Sequence, residues 1–261
     1  MVYLEELIED LVGAMFSSNT ETGITVTYQD ADGTIDLEVT PAGIGAIPND
    51  GWIADADTWT RTGNHTFTVS GDVTAKFRKN AKVRYKDGGS YEYGVIGSSS
   101  YSSPNTTINL IPNDDYAMAA ATITDTYLSY IDNPEGFPDW FNFTPTTITG
   151  WGASPPTSSH YKWRTFGVDN ITFHINQPNN ATSTTTTIVF SLPITAKTLT
   201  GAIWVAVPGQ CVNNSGVPTS PCYGEIQSGG TDVIFYLDYA GTGWTAANNK
   251  RIVTSEISYR Y

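Results

Sequence analysis

Histidine and cysteine are scarce in this 261-residue chain, with three of the first and two of the second. So few imidazoles and thiols leave little material for a metal centre, and none is expected. His65, His160 and His174 all lie inside strand-like stretches, and no H-E-x-x-H, P-loop or dinucleotide-binding pattern occurs. No serine stands in a G-x-S-x-G elbow, so a hydrolase triad has no visible nucleophile. Asp114 and Asp115 are adjacent in a loop signature, "IPNDDYA". On a strand, neighbouring acids would point to opposite faces, which suits a pair of glycosidase carboxylates poorly. The chain also lacks the short repeats of a long parallel β-helix. No catalytic residue and no cofactor are expected, and the chain is not read as an enzyme.

Positive charge is sparse as well. Lys and Arg number 13 against 26 Asp and Glu, for a net charge of −13. An acidic body repels nucleic acid and anionic membrane alike, so neither is an expected partner. No run approaches the roughly 18 apolar residues of a membrane-spanning helix. No leader is visible, which predicts synthesis in a cytoplasm unless a leader has been removed.

What the chain does have is turn and strand chemistry. Aromatics make up 12%, Gly and Pro number 24 and 14, and Thr, Ser, Asn and Tyr dominate the rest. β-Branched and aromatic side chains suit a pleated surface, and the Gly and Pro punctuate it. The pattern predicts an all-β protein in three parts. Residues 1–45 form a helix-plus-hairpin stem, 46–141 a small β-barrel-like module, and 142–261 a C-terminal antiparallel β-sandwich of about seven strands.

Only "LEELIEDLVGAMF" (Leu4 to Phe16) reads as helix. Leu4, Ile8, Leu11 and Met15 recur at four, three and four residues, the seam of a coiled coil, and Leu7 and Val12 widen it. A helix this short is marginal in water, so it must pack on something. Either it folds back on its own domain, or Leu4, Leu7, Ile8, Leu11, Val12 and Met15 join copies of the chain. Its terminal position favours the second, with a larger domain doing most of the holding. A hairpin follows, with Ile24, Val26 and Tyr28 alternating before "DADG" and Ile35, Leu37 and Val39 after it. The "DADGT" stretch fails as a calcium loop, since Tyr28 and Val39 would occupy positions that need acids.

In the middle module, Lys76 and Arg78 are expected on one strand face, as are Lys82, Arg84 and Lys86 on the next, with Phe77, Val83 and Tyr85 opposite. That predicts a basic outer face, either solvated and guarding a sheet edge or meeting an acidic neighbour such as another subunit or an anionic surface polymer. In the last part, Cys211 and Cys222 bracket "VNNSGVPTSP", a loop whose neck either carries a disulfide or leaves two thiols. Trp151, Tyr161, Trp163 and Trp244 lie in or beside Gly/Pro/Ser-rich loops, and Asn213 and Asn248 in loops suited to hydroxyl recognition. These six are the candidate ligand-binding residues, against the plainer reading of the aromatics as buried plugs.

Three stretches also carry a resemblance. "LVGAMFSSNTETGITVTYQDADGTIDLEV", "TFTVSGDVTAKFRKNAKVRYKDGG" with "GSSSYSSPNTTINL", and "NNATSTTTTIVFSLPITA" followed by "YAGTGWTAANNKRIVTSEISYRY" resemble segments of tailed-bacteriophage tail-fibre and virion appendage proteins. The resemblance implies a homotrimeric virion protein, made in the host cytoplasm, that contacts other phage virion proteins and a host-surface glycan. It transfers no fixed set of functional residues. A head fibre or capsid decoration protein fits the same features, and a secreted carbohydrate-binding module is the alternative outside the virion.

Overall fold

The computed structural model describes residues 4, 8, 11, 12, 14, 15, 24–29, 34–39, 48–119, 122–150, 160–177, 187–200, 205–212, 220–238, 240–245 and 250–261. The described residues are all-β apart from helical residues between positions 4 and 15. The chain divides into two compact units, one up to Ile53 and one from Ala54 to Tyr261. The middle and C-terminal parts, read separately in the sequence, therefore fall within a single unit.

In the first unit Leu4, Ile8, Leu11, Val12, Ala14 and Met15 are helical, and strands β1 (Ile24–Gln29) and β2 (Thr34–Val39) pair antiparallel with Ile24 opposite Val39 and Gln29 opposite Thr34. The hairpin is the one that the alternation calls for. It stands as a two-stranded sheet, a form that is marginal by itself in water.

The remaining strands are β3 (Ile53–Ala54), β4 (Thr60–Gly63), β5 (Thr66–Ser70), β6 (Lys82–Asp87), β7 (Ser90–Ser102), β8 (Asn105–Leu110) and β9 (Ile123–Ser129). Then come β10 (Phe141–Asn142), β11 (Ile148–Thr149), β12 (His160–Phe166), β13 (Asn170–Asn176), β14 (Ile188–Ser191), β15 (Val205–Val212), β16 (Ser220–Ile226), β17 (Asp232–Tyr236) and β18 (Arg251–Arg260). The first set forms a seven-stranded sheet in the order β3-β9-β6-β7-β8-β5-β4. The second forms a nine-stranded one in the order β10-β12-β13-β18-β15-β16-β17-β14-β11.

Each sheet turns on one long strand. The first half of β7, Ser90 to Val95, pairs with β6, and its second half, Ile96 to Ser102, pairs with β8. Side chains along a flat strand would alternate in and out, yet residues 94–97 are buried in succession, because the strand there passes between two half-sheets. A residue larger than glycine has no room at Gly94, where an added Cβ would lie 2.8 Å from Leu110 Cδ1. Likewise β18 pairs with β15 through Arg251, Ile252 and Thr254, and with β13 from Ser255 to Arg260.

The cores follow from this switch. Phe67 and Ile108 of one half-sheet meet Val83, Tyr85 and Leu128 of the other, around Trp59 and Phe77. In the larger sheet Trp163, Phe173 and Ile257 share a core with Phe190, Phe235 and Ile252, and Val95 and Ile111 of the middle part join it. "NPEGFPDWFNFTPT", which spans the boundary between the second and third predicted parts, contributes Phe137, Phe141 and Phe143 to that core.

One expectation needs correction. Lys76 and Arg78 do not share a strand face, because residues 71–81 are turns. Asp72 accepts bonds from the Thr74 amide (3.2 Å) and hydroxyl (2.8 Å), while the Lys76 and Phe77 amides both donate to the Val73 carbonyl at 3.0 Å. Such local bonds offer the backbone an alternative to a ladder. On β6 the alternation holds for the buried Val83 and Tyr85, but Lys82 is buried too.

Candidate functional site

The predicted seam is helical and uncovered within its own unit. Leu4, Ile8, Leu11 and Met15 are 63%, 53%, 64% and 63% exposed, and Val12 is 38% exposed. Leu7 lies outside the described residues. On the neighbouring hairpin Leu37 is also exposed. Monomers rarely leave a contiguous apolar stripe in water.

The aromatic ligand candidates are corrected by burial. Trp163 is fully buried, stacked on Phe141 with ring centroids 4.4 Å apart, and its indole N–H donates to the Pro112 carbonyl at 2.8 Å. Trp244 is also buried and donates to the Phe235 carbonyl at 2.8 Å. Tyr161 is half-buried, packs against Phe190 (5.7 Å), and its hydroxyl accepts a bond from Gln177 Nε2 at 3.3 Å. Trp163 and Trp244 thus have their rings in the core and their N–H groups occupied, which leaves them no open face for a sugar, while Tyr161 is only partly covered. Trp151, Asn213 and Asn248 lie outside the described residues.

Cys211 and Cys222 are both buried on the paired strands β15 and β16, with Gly209 opposite Cys222 and Cys211 opposite Ser220. They are two thiols, not a disulfide, and the neighbouring Cys211, together with burial, holds the Cys222 thiol far above its usual range. Asp114 and Asp115 are structural: Asp115 accepts from the Asn142 amide (2.6 Å) and side chain (2.7 Å), and Asp114 from the Thr144 hydroxyl (2.8 Å). His65 Nε2 lies 2.9 Å from the Asn113 carbonyl, and burial lowers the basicity of the ring. Among the described residues no group of three or more His, Cys, Asp or Glu is placed to hold a metal.

The outer face of the β12-β13-β18 ladder presents a different arrangement, one that the sequence did not single out. A cleft of about 440 Å³ runs there between the 132–139 segment and the strands, lined by Asn133, Asp139, Arg164, Phe166 and Glu256 among others. The Arg164 guanidinium lies 4.5 Å over the Trp140 ring, which in turn meets His174 edge-on at 6.3 Å. Phe166 is 44% exposed at the cleft's edge. Donors, carboxylate acceptors and an apolar plate thus converge in one groove, the mix suited to a hydroxyl-rich ligand. The visible signal was "PEGFPDW", an aromatic- and Pro-rich stretch that composition marks only as a junction between parts.

In the middle part, Lys76 is held by Asp55 and by Asp57 (2.7 Å), and Lys86 by Asp125 (2.6 Å). Arg84 lies over Tyr127 (4.2 Å) and Tyr91 (5.0 Å). Much of the expected basic face is therefore neutralised or stacked within the protein itself. Comparison with family models, curated proteins and solved structures found no match.

Proposed function

We propose that the chain is a structural and adhesive protein of a tailed-phage virion, a tail fibre or receptor-binding appendage that assembles as a homotrimer and performs no chemistry. The observation that carries this reading is the uncovered stripe of Leu4, Ile8, Leu11, Val12 and Met15, between 38% and 64% exposed, beside a hairpin that is also too small to stand alone. Both are completed most simply by copies of themselves. The seam spacing supports helices meeting along a common axis, and the larger second unit supplies the local concentration that a weak seam needs. Three helices held within one particle meet at an effective concentration of about millimolar or more.

The same reading takes the nine-stranded sheet as an antiparallel sandwich folded about β18, and the seven-stranded one as a small barrel-like module folded about β7. The sequence resemblance to virion appendages supplies the setting. The groove lined by Arg164, Phe166 and Glu256 supplies a surface for a host glycan.

Light scattering on the full chain and on Leu11→Asp tests it. The unaltered chain is expected at three times 28.3 kDa, and Leu11→Asp to fall to the single-chain mass on dilution at a higher concentration than the unaltered chain does, since a buried unpaired carboxylate weakens the seam. Identical dissociation of the two proteins on dilution would remove the seam from the account.

A further inference from the structure

Much of the basic patch is neutralised, but one part of it is not. Arg78, Lys79 and Lys82 line a second cleft of about 330 Å³, with Tyr130, Asp132 and the Gly167–Val168 turn completing it. Asp132 is the one carboxylate in its lining, so three cations face one anion in a protein whose net charge is −13.

Lys82 is built in. Its side chain is 3% exposed, its ammonium donates to the Asn80 carbonyl at 3.1 Å, and the Asp132 carboxylate stands 3.8 Å away and is largely exposed. Burial lowers the basicity of Lys82, and Asp132 offsets this only in part. A buried charge so weakly countered is costly. Asn80 organises the floor: it adopts a left-handed backbone (φ 66°), unusual outside glycine, and its side chain binds the Gly167 carbonyl and accepts from the Tyr261 hydroxyl at 3.2 Å. Lys79 lies 4.0 Å over the Tyr261 ring and donates to that residue's main-chain oxygen. The Arg78 guanidinium carbon lies 4.3 Å over the Tyr130 ring, whose hydroxyl donates to the Lys76 carbonyl at 3.0 Å. Among the described residues no carboxylate pairs with Arg78. A guanidinium engaged by a ring face rather than by a carboxylate keeps N–H donors available to an oxyanion.

We propose that this cleft binds an oxyanion group, carboxylate or phosphate, carried on a surface saccharide polymer. The two clefts are neighbours, since Asp132 lines both and the turn from Phe166 to Val168 stands between them. A polymer lying across that turn sets its hydroxyls in the groove lined by Arg164 and Phe166 and its anionic group against Arg78 and Lys82. The choice of a polymer as carrier rests on the adhesive reading. The oxyanion site itself does not.

Isothermal titration of the full chain with oligogalacturonate, with a glycerol-phosphate oligomer and with neutral dextran tests this. Binding of at least one anionic oligomer is expected, weakening as salt is raised, with dextran bound at least tenfold more weakly. Which anionic oligomer binds tells carboxylate from phosphate. Arg78→Gln, an exposed change that leaves the fold in place, is expected to lower affinity about tenfold, and Asp132→Asn to raise it several-fold by removing the competing carboxylate. Lys82→Gln is expected to abolish binding. No binding of either anionic oligomer, equal binding of dextran, or unchanged affinity in both Arg78→Gln and Asp132→Asn would overturn the proposal. The oligomeric mass, measured separately, is unaffected by any of these outcomes, so a failed oxyanion site and a failed appendage reading remain distinguishable.

Discussion

Trp163 is where the binding and packing readings of the loop-side aromatics part most sharply. It is fully buried, stacked on Phe141 at 4.4 Å with 16° between the rings, and hydrogen-bonded to Pro112 across 51 residues of chain. Truncating a buried tryptophan to alanine costs about 3–5 kcal/mol, and loss of the aromatic pair adds about 0.5–1.5 kcal/mol. Trp163→Ala is therefore expected to lose about 4–6 kcal/mol, a large share of the roughly 5–15 kcal/mol that holds a typical domain. Trp163→Phe keeps a ring on Phe141 but deletes the indole N–H, and is expected to lose about 1–2 kcal/mol. Guanidinium unfolding followed by far-ultraviolet circular dichroism reads both, with the order unaltered, Phe, Ala. A Trp163→Ala protein as stable as the unaltered chain, but deficient in sugar binding, would refute the packing account and restore Trp163 as a ligand platform.

Three further outcomes follow from the same geometry. Asp169 accepts from Arg260 Nη2 at 2.5 Å and from Lys197 at 3.0 Å, and the Arg260 bond holds its carboxyl below the usual range. Its contribution is thus complete above the ordinary carboxylate range and fades as pH falls through the lowered value. Asp169→Asn should cost about 1 kcal/mol at pH 6, discounted for partners that are half-exposed, and the difference should vanish in strong acid when denaturant midpoints are compared. Cys211 and Cys222, buried thiol to thiol, should react with a thiol-labelling reagent only after unfolding, which a colorimetric assay with and without denaturant reads directly. Gly224→Ala would place a Cβ 2.9 Å from the buried Phe235 ring, and should lower stability by about 1–3 kcal/mol in the same unfolding assay.

Where local pattern and tertiary packing agreed, the fold was legible in advance. The alternation of Ile24 to Tyr28 and Ile35 to Val39 around a turn allows little but the observed pairing. Val83 and Tyr85 were likewise placed correctly on the inner face of β6. The misplaced segment, Lys76 to Arg78, has the right composition for a strand. A single Asx turn at Asp72, and salt links from Lys76 to acids about 20 residues earlier in the chain, decide otherwise, and neither has a periodic signature. Phe137, Phe141 and Phe143 sit among prolines at the boundary expected between the second and third parts, yet they pack with Val95 and Ile111, which are distant in sequence.

The ligand-binding surfaces were harder to see. Loop tryptophans attract attention because composition marks them, yet Trp163 and Trp244 face inward once β12 and β17 are in place. The groove that does open to solvent draws Arg164 and Glu256 from strands and Asp139 from the 132–139 segment. The oxyanion cleft joins the continuous run from Arg78 to Lys82, Tyr130 and Asp132 just after β9, and the β12–β13 turn. Convergence of three separate segments leaves no spacing to recognise. Lys82 was flagged as basic, but only its burial beside Asn80 and Asp132 gives that charge a use.

The claim on which the rest depends is that identical copies cover the helical stripe. Light scattering on the full chain at micromolar concentration measures this most directly. The account predicts a mass of three times 28.3 kDa, and a species of 28.3 kDa under the same conditions would contradict it.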